Sequence, residues 1–175
     1  MAKLHKMSFP RKEYGSEPAK KYWSLSEAKV KIAAFCAYQE RCQQEVRLRL
    51  AERGIHGDQA EDLIALMIEE GFLNEERFAQ AFVRGKFSLK KWGRIKIRQA
   101  LKFRKISDRC IATGMKEIEA DEYFKILQQE AEKKWNSLEK LDPFPRKMKV
   151  QQFLVGRGFE QDLIQAALAE IEELK

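Results

Sequence analysis

A chain of 175 residues is long enough for one core or a short array of small ones; 35% of it is charged, and only 9 Gly and 4 Pro interrupt its helix formers. Its three cysteines form no CxxC pair and its two histidines, His5 and His56, stand far apart. That argues against a disulfide framework or a structural zinc site and for a reducing cytoplasm, and with no apolar run near membrane-spanning length no membrane partner is expected.

The net charge of +7 is unevenly placed. Residues 84–109 hold eleven Lys and Arg against Asp108 alone, and residues 1–22 hold six against two acids. The rest is mildly acidic, so one segment and one tail carry the positive charge. A localised patch points to a polyanionic or acidic partner.

In chain order, residues 1–22 show no apolar period and include Pro10, Gly15 and Pro18; they are expected to form a flexible basic arm. Ser24 and Glu27 form a capping box that starts a helix running to about Arg41. A second helix covers Gln43 to Arg53 and ends on Gly54 in the left-handed conformation. Asp58 is expected to cap a third that stops at Gly71. Asn74 caps a fourth, with Glu75 and Glu76 in its first turn and Leu73 stapled onto Phe78. The fifth is entered through Trp92-Gly93, and the sixth begins near Ser107 and Asp108. The seventh spans Asp121 to Asn136. Asp142-Pro143-Phe144-Pro145 is read as a break, followed by helices over Arg146–Arg157 and Gln161–Leu174. Nothing alternates with period two over a useful length, so the fold class is all-α.

The helices repeat. Aligning Arg53-Gly54-Ile55 with Arg104-Lys105-Ile106 and Arg157-Gly158-Phe159 superposes Val46, Ile97 and Val150, and also Leu50, Leu101 and Leu154. An apolar pair at i, i+4 marks the core face of each middle helix. The expected architecture is an elongated array of three tandem three-helix repeats, over residues 23–73, 74–120 and 121–175, behind the arm.

KKWGRIKIRQALKFRK, Lys90 to Lys105, carries eight cations in sixteen residues and no carboxylate. Placed on one helix, Ile97, Ala100 and Leu101 face the core, and Lys91, Arg94, Arg98, Lys102 and Lys105 fall within an arc of roughly 80° beside it. Like charges at i, i+4 repel by a few tenths of a kcal/mol per pair. No acid within the stretch offsets that cost. Ile95 and Phe103 lie off the core arc, and cations with interleaved apolar side chains suit a nucleic-acid backbone or an acidic, partly apolar protein groove. These five cations are the candidate binding residues.

Catalytic constellations are weak. Adjacent Glu75 and Glu76 point about 100° apart and make a poor dyad, and Asp108 is the one acid beside the basic patch. No phosphate-binding glycine loop and no His pair at metal spacing is present. The expectation is a binding protein with no cofactor, no metal and no enzymatic activity.

One stretch resembles a known family. GFLNEERFAQAFV, Gly71 to Val83, resembles the GYLDDERFARAFV signature of RecX, a family of regulators of the bacterial RecA recombinase. KKWGRIKIRQAL followed by Lys105-Ile106-Ser107 resembles the family's next, basic GxxRIRxEL…KGI segment. Gln39 to Cys42 and Glu45 to Leu50 resemble its ReRSxxELrrKL stretch. The match is good over residues 28–108. Cys42 departs from the usual Ser at a helix start, where a thiol is a poor acceptor for backbone N–H groups. The resemblance implies three tandem three-helix repeats. It also implies binding along the groove of the RecA–single-stranded DNA filament, with inhibition of recombinase and co-protease activity in DNA repair and the SOS response. The expected partners are therefore the RecA filament and single-stranded DNA, met directly or through the filament, by a cytoplasmic monomer. A helical DNA-binding transcriptional regulator, with the basic helix in a major groove, is the alternative.

Overall fold

The computed structural model describes residues 22–173; the expected N-terminal arm lies outside the described residues except for Tyr22. Among the described residues there are nine helices and no strand. They are α1 (Leu25–Tyr38), α2 (Gln43–Ala51), α3 (Gly57–Glu69), α4 (Glu75–Lys90), α5 (Arg94–Phe103), α6 (Asp108–Met115), α7 (Ala120–Asn136), α8 (Pro143–Arg157) and α9 (Gln161–Glu173). Each helix packs chiefly on two others, and these groups are α1–α3, α4–α6 and α7–α9. The all-helical repeat architecture is therefore as the sequence implies.

Several helix starts follow directly from local chemistry. Ser24 and Glu27 complete their capping box, Asn74 Oδ1 accepts from the Arg77 N–H at 2.9 Å, and Ser107 Oγ accepts from the Cys110 N–H at 3.3 Å. Other boundaries differ from the sequence reading. α1 stops at Tyr38, and α3 begins two residues early, behind His56, leaving Asp58 in its first turn. Pro143 opens α8 instead of breaking the chain, because the first turn of a helix needs neither N–H that Pro143 and Pro145 lack. Leu73 does not staple onto its own helix; it buries in the core of the first unit while Phe78 buries in that of the second.

The repeat register is physical. Val46, Ile97, Val150, Leu50, Leu101 and Leu154 are all fully buried, each worth about 2 kcal/mol of apolar burial. The next shared position is left-handed in every unit, with φ of 86° at Gly54, 59° at Lys105 and 87° at Gly158. Lys105 therefore occupies a glycine's backbone.

The first unit has its own core, whereas the second and third share one. Tyr123 of α7 joins them, its ring 5.8 Å from that of Phe87 and 5.4 Å from that of Phe159. Their backbones also meet. The Gly93 N–H donates to the Arg157 carbonyl at 2.8 Å, and the Ile95 N–H to the Gly158 carbonyl at 3.0 Å. Between them the Arg94 N–H donates to the Tyr123 hydroxyl at 3.0 Å, which itself donates to the Glu160 carboxylate. The unpaired amides that begin α5 thus meet the unpaired carbonyls that end α8, and the two helix dipoles run head to tail. Only glycine permits this approach: a Cβ on Gly93 would lie 2.1 Å from the Gly158 oxygen.

The first junction uses the same position differently. Cys42 gives α2 no side-chain cap, but the Glu75 carboxylate, from the next unit, sits at the N–H of Gln43. Arg77 pairs with Glu40 at 2.9 Å and Arg104 with Glu45 at 3.5 Å across the same boundary.

Three outcomes follow from this packing. Gly93→Ala, at an ordinary φ, should cost about 3 kcal/mol in denaturant unfolding through the clash alone. It should also remove hydrogen-exchange protection from the Ile95 amide. Lys105→Gly should gain about 1 kcal/mol by relieving the left-handed backbone. Burial, then the Glu160 hydrogen bond, raise the Tyr123 pKa above the usual phenol value. A raised pKa means the folded state holds that proton more tightly. The contribution is intact below the unfolded value of about 10 and is lost as pH rises above it. Denaturation curves across that range should fall more steeply for the parent chain than for Tyr123→Phe.

Candidate partner-binding surface on the central helix

Helix α5 turns Ile97 and Leu101 into the core and presents its other flanks outward. Arg94, Arg98 and Lys102 follow at i, i+4 and i+8 along one of them. With Ile95, Gln99 and Glu160 they line an open groove of about 440 Å³ between α5 and the start of α9. Arg94 is the anchored member, its guanidinium 4.0 Å from the centre of the Tyr123 ring. Arg98 and Lys102 are exposed. Ile95 and Phe103 are exposed as well, Phe103 by 85%, so large apolar surface stands among the cations.

The other two expected residues are not on this helix. Lys91 is the left-handed C-cap of α4, at φ 52°, and Lys105 lies beyond the end of α5. The expected stripe of five is therefore three residues on one flank with a lysine near each end. The turns that bracket α5 caused the difference, since an unbroken helical projection carries the stripe through them. Neither lysine lines the groove.

Acids from outside the basic stretch offset part of its repulsion. Lys102 pairs with Asp108 at 3.4 Å, both exposed, which contributes little, and Glu160 closes the groove from the third unit. Two further cations are spent on the fold. Lys96 Nζ donates to the Gly156 carbonyl at 2.9 Å and lies 4.9 Å from the Trp92 ring. Arg104 reaches Glu45 and the Ala100 carbonyl and stacks over Phe82. Sequence reasoning missed Glu160 and Tyr123 as parts of this surface. The repeat register aligns Glu160 with Ser107, a helix-start position, and carries no signal that it reaches another unit.

Among the described residues no group of three His, Cys, Asp or Glu side chains could hold a metal ion. Burial raises the pKa of Glu75, against the opposing effect of the Gln43 N–H, and Glu76 beside it is exposed. Burial also pushes the Cys36 thiol up to about 11 and raises that of Cys42, which makes both poor nucleophiles at neutral pH. No described helix is long and apolar enough to cross a membrane. What the α5 surface offers chemically is cationic hydrogen-bond donors set between apolar side chains.

The chain is similar to known proteins. Sequence models of the second and third three-helix domains of RecX match residues 74–115 and 121–168. Proteins named Regulatory protein RecX are similar along most of the chain. That of Chromohalobacter salexigens is 31% identical, over 78% of this chain and 88% of its own. That of Pelodictyon phaeoclathratiforme is 30% identical, over 71% and 76%. The match to the Bacillus mycoides protein is 22% identical and covers 86% of this chain but 56% of that relative, so this chain spans little more than half of some curated relatives. The crystal structure of RecX from Lactobacillus salivarius shares the fold, with a TM-score of 0.74 at 22% identity over 85% of this chain and 96% of that one. The chain belongs to the RecX family of regulatory proteins.

Proposed function

We propose that this protein regulates a recombinase by binding the RecA–single-stranded DNA filament through the α5 surface, and that binding inhibits the recombinase and co-protease activities. The carrying observation is the groove lined by Arg94, Arg98 and Lys102, with Ile95 and Phe103 exposed beside it. A surface of that kind suits an acidic, partly apolar protein wall with phosphate nearby. Lys91 and Lys105, near the two ends of α5, extend the contact. Lys105 holds a left-handed backbone that glycine would occupy at lower cost, and a charge required by the partner accounts for it. The protein acts as a cytoplasmic monomer, by binding alone, with no cofactor of its own.

The test is co-sedimentation with recombinase filaments beside naked single-stranded DNA, together with recombinase ATP hydrolysis. Arg94→Glu, Arg98→Glu and Lys102→Glu combined should leave helical circular dichroism intact and weaken inhibition at least a hundredfold. Unchanged inhibition would sink the site assignment. Affinity for the filament should fall with salt, and the triple variant should lose most of that dependence. Lys105→Gly should bind several-fold more weakly although it folds more stably. Pelleting only with naked DNA would favour a general DNA binder.

A further inference from the structure

A second surface lies on the outer face of α4, away from the α5 groove. Phe78, Phe82 and Leu89 floor an open cleft of about 320 Å³, with Gly85 between them and Gln39 and Glu40 forming the far wall. Leu89 is 80% exposed and Phe82 half-buried, so the floor is apolar and reachable.

Gly85 has no structural reason to be glycine. It lies inside α4 without a left-handed φ, and a Cβ added there meets nothing within 4 Å. Gly114 is the contrast, since its absent Cβ lets α6 approach the Ala79 backbone, which a Cβ would meet at 2.9 Å. A glycine inside a helix destabilises it relative to alanine. At position 85 the fold gains nothing in return; what the glycine leaves open is the cleft floor.

The charge around the cleft sets the occupant. Lys86 and Lys90 stand on its rim, and neither has an ion-pair partner among the described residues. Lys86 Nζ rests 5.1 Å from the Phe82 ring and 5.2 Å from the Trp92 ring. Glu40 on the far wall is neutralised by Arg77, Nε to Oε1 2.9 Å. The field over the cleft is therefore positive above an apolar floor. We propose that this cleft docks an acidic protein segment that seats an aromatic or aliphatic side chain over Gly85 and sets carboxylates on Lys86 and Lys90.

Amide NMR on the full chain tests this, with the capped hexapeptide DDFLDD as probe. Saturable shifts should appear at Gln39, Glu40 and residues 82–90. The peptide DDAADD should bind at least tenfold more weakly, and NNFLNN at least threefold more weakly with no salt dependence. Gly85→Ala should raise Tm by a few degrees, about what a helix-interior alanine gives, and show that the fold tolerates the position. Gly85→Met, which fills the floor, should stay folded and abolish the shifts. Retained affinity in folded Gly85→Met, no shifts with DDFLDD, or shifts confined to α5 would overturn the proposal. It would equally fall if a thymidine decamer shifted the cleft and the peptide did not, or if the cleft shifted with protein concentration alone. The α5 triple variant should bind the peptide as the parent does, so this result stands apart from the filament assay.

Discussion

The structure depends on one backbone meeting, the start of α5 against the end of α8. A helix begins with amides that have no partner and ends with carbonyls that have none. Here Gly93 and Ile95 supply the donors, and Arg157 and Gly158 supply the acceptors. These two pairs close backbone to backbone, and the Tyr123 hydroxyl takes the Arg94 amide between them. The arrangement requires backbones to touch, hence glycine on both sides, and it fixes the basic helix relative to the third unit. Because the α5 start is pinned there, Glu160 closes one side of the cationic groove and Tyr123 anchors Arg94. A looser junction would leave the same residues in the sequence and no groove between them.

Pinning also divides the labour among the cations. Those turned toward neighbouring elements, Lys96 and Arg104, bond to carbonyls, a carboxylate and ring faces. Arg98 and Lys102, on the other flank, have solvent and weak, exposed counter-charges. Density of charge along the sequence therefore overstates the charge offered to a partner, because part of it is consumed in holding units together. It also hides a second positive region, since Lys86 and Lys90 belong to α4 and overlook a separate apolar cleft.

Much of the fold was legible in the sequence, because its signals are local or periodic. Ser24, Asn74 and Ser107 cap by chemistry that acts over three residues. The pairs Val46–Leu50, Ile97–Leu101 and Val150–Leu154 reveal the core by spacing alone. Pro143 misled because proline breaks a helix interior yet suits its first turn, and a sequence does not say which applies. Lys91 and Lys105 were misplaced for a related reason. A projection at 100° per residue runs through turns that only backbone geometry reveals, although the register of Lys105 with Gly54 and Gly158 held the hint. Arg94, Arg98 and Lys102 were placed on a common flank correctly, since they lie within one helix. Their closure by Glu160 is a contact between distant units, and no periodicity encodes it.

The starts of the middle helices carry a consequence for how such a chain can change. In the first unit the opening amide of α2 faces a carboxylate from the second, and in the second the opening amide of α5 faces a hydroxyl from the third. In the third unit α8 opens with Pro143, which has no amide to satisfy. Each of the first two units is thus written for the neighbour that follows it. The units share a shape but are not interchangeable parts: exchanging or deleting one would strand a donor at one seam and an acceptor at another. Growth or shuffling of the array would have to rewrite its seams as well as copy its modules.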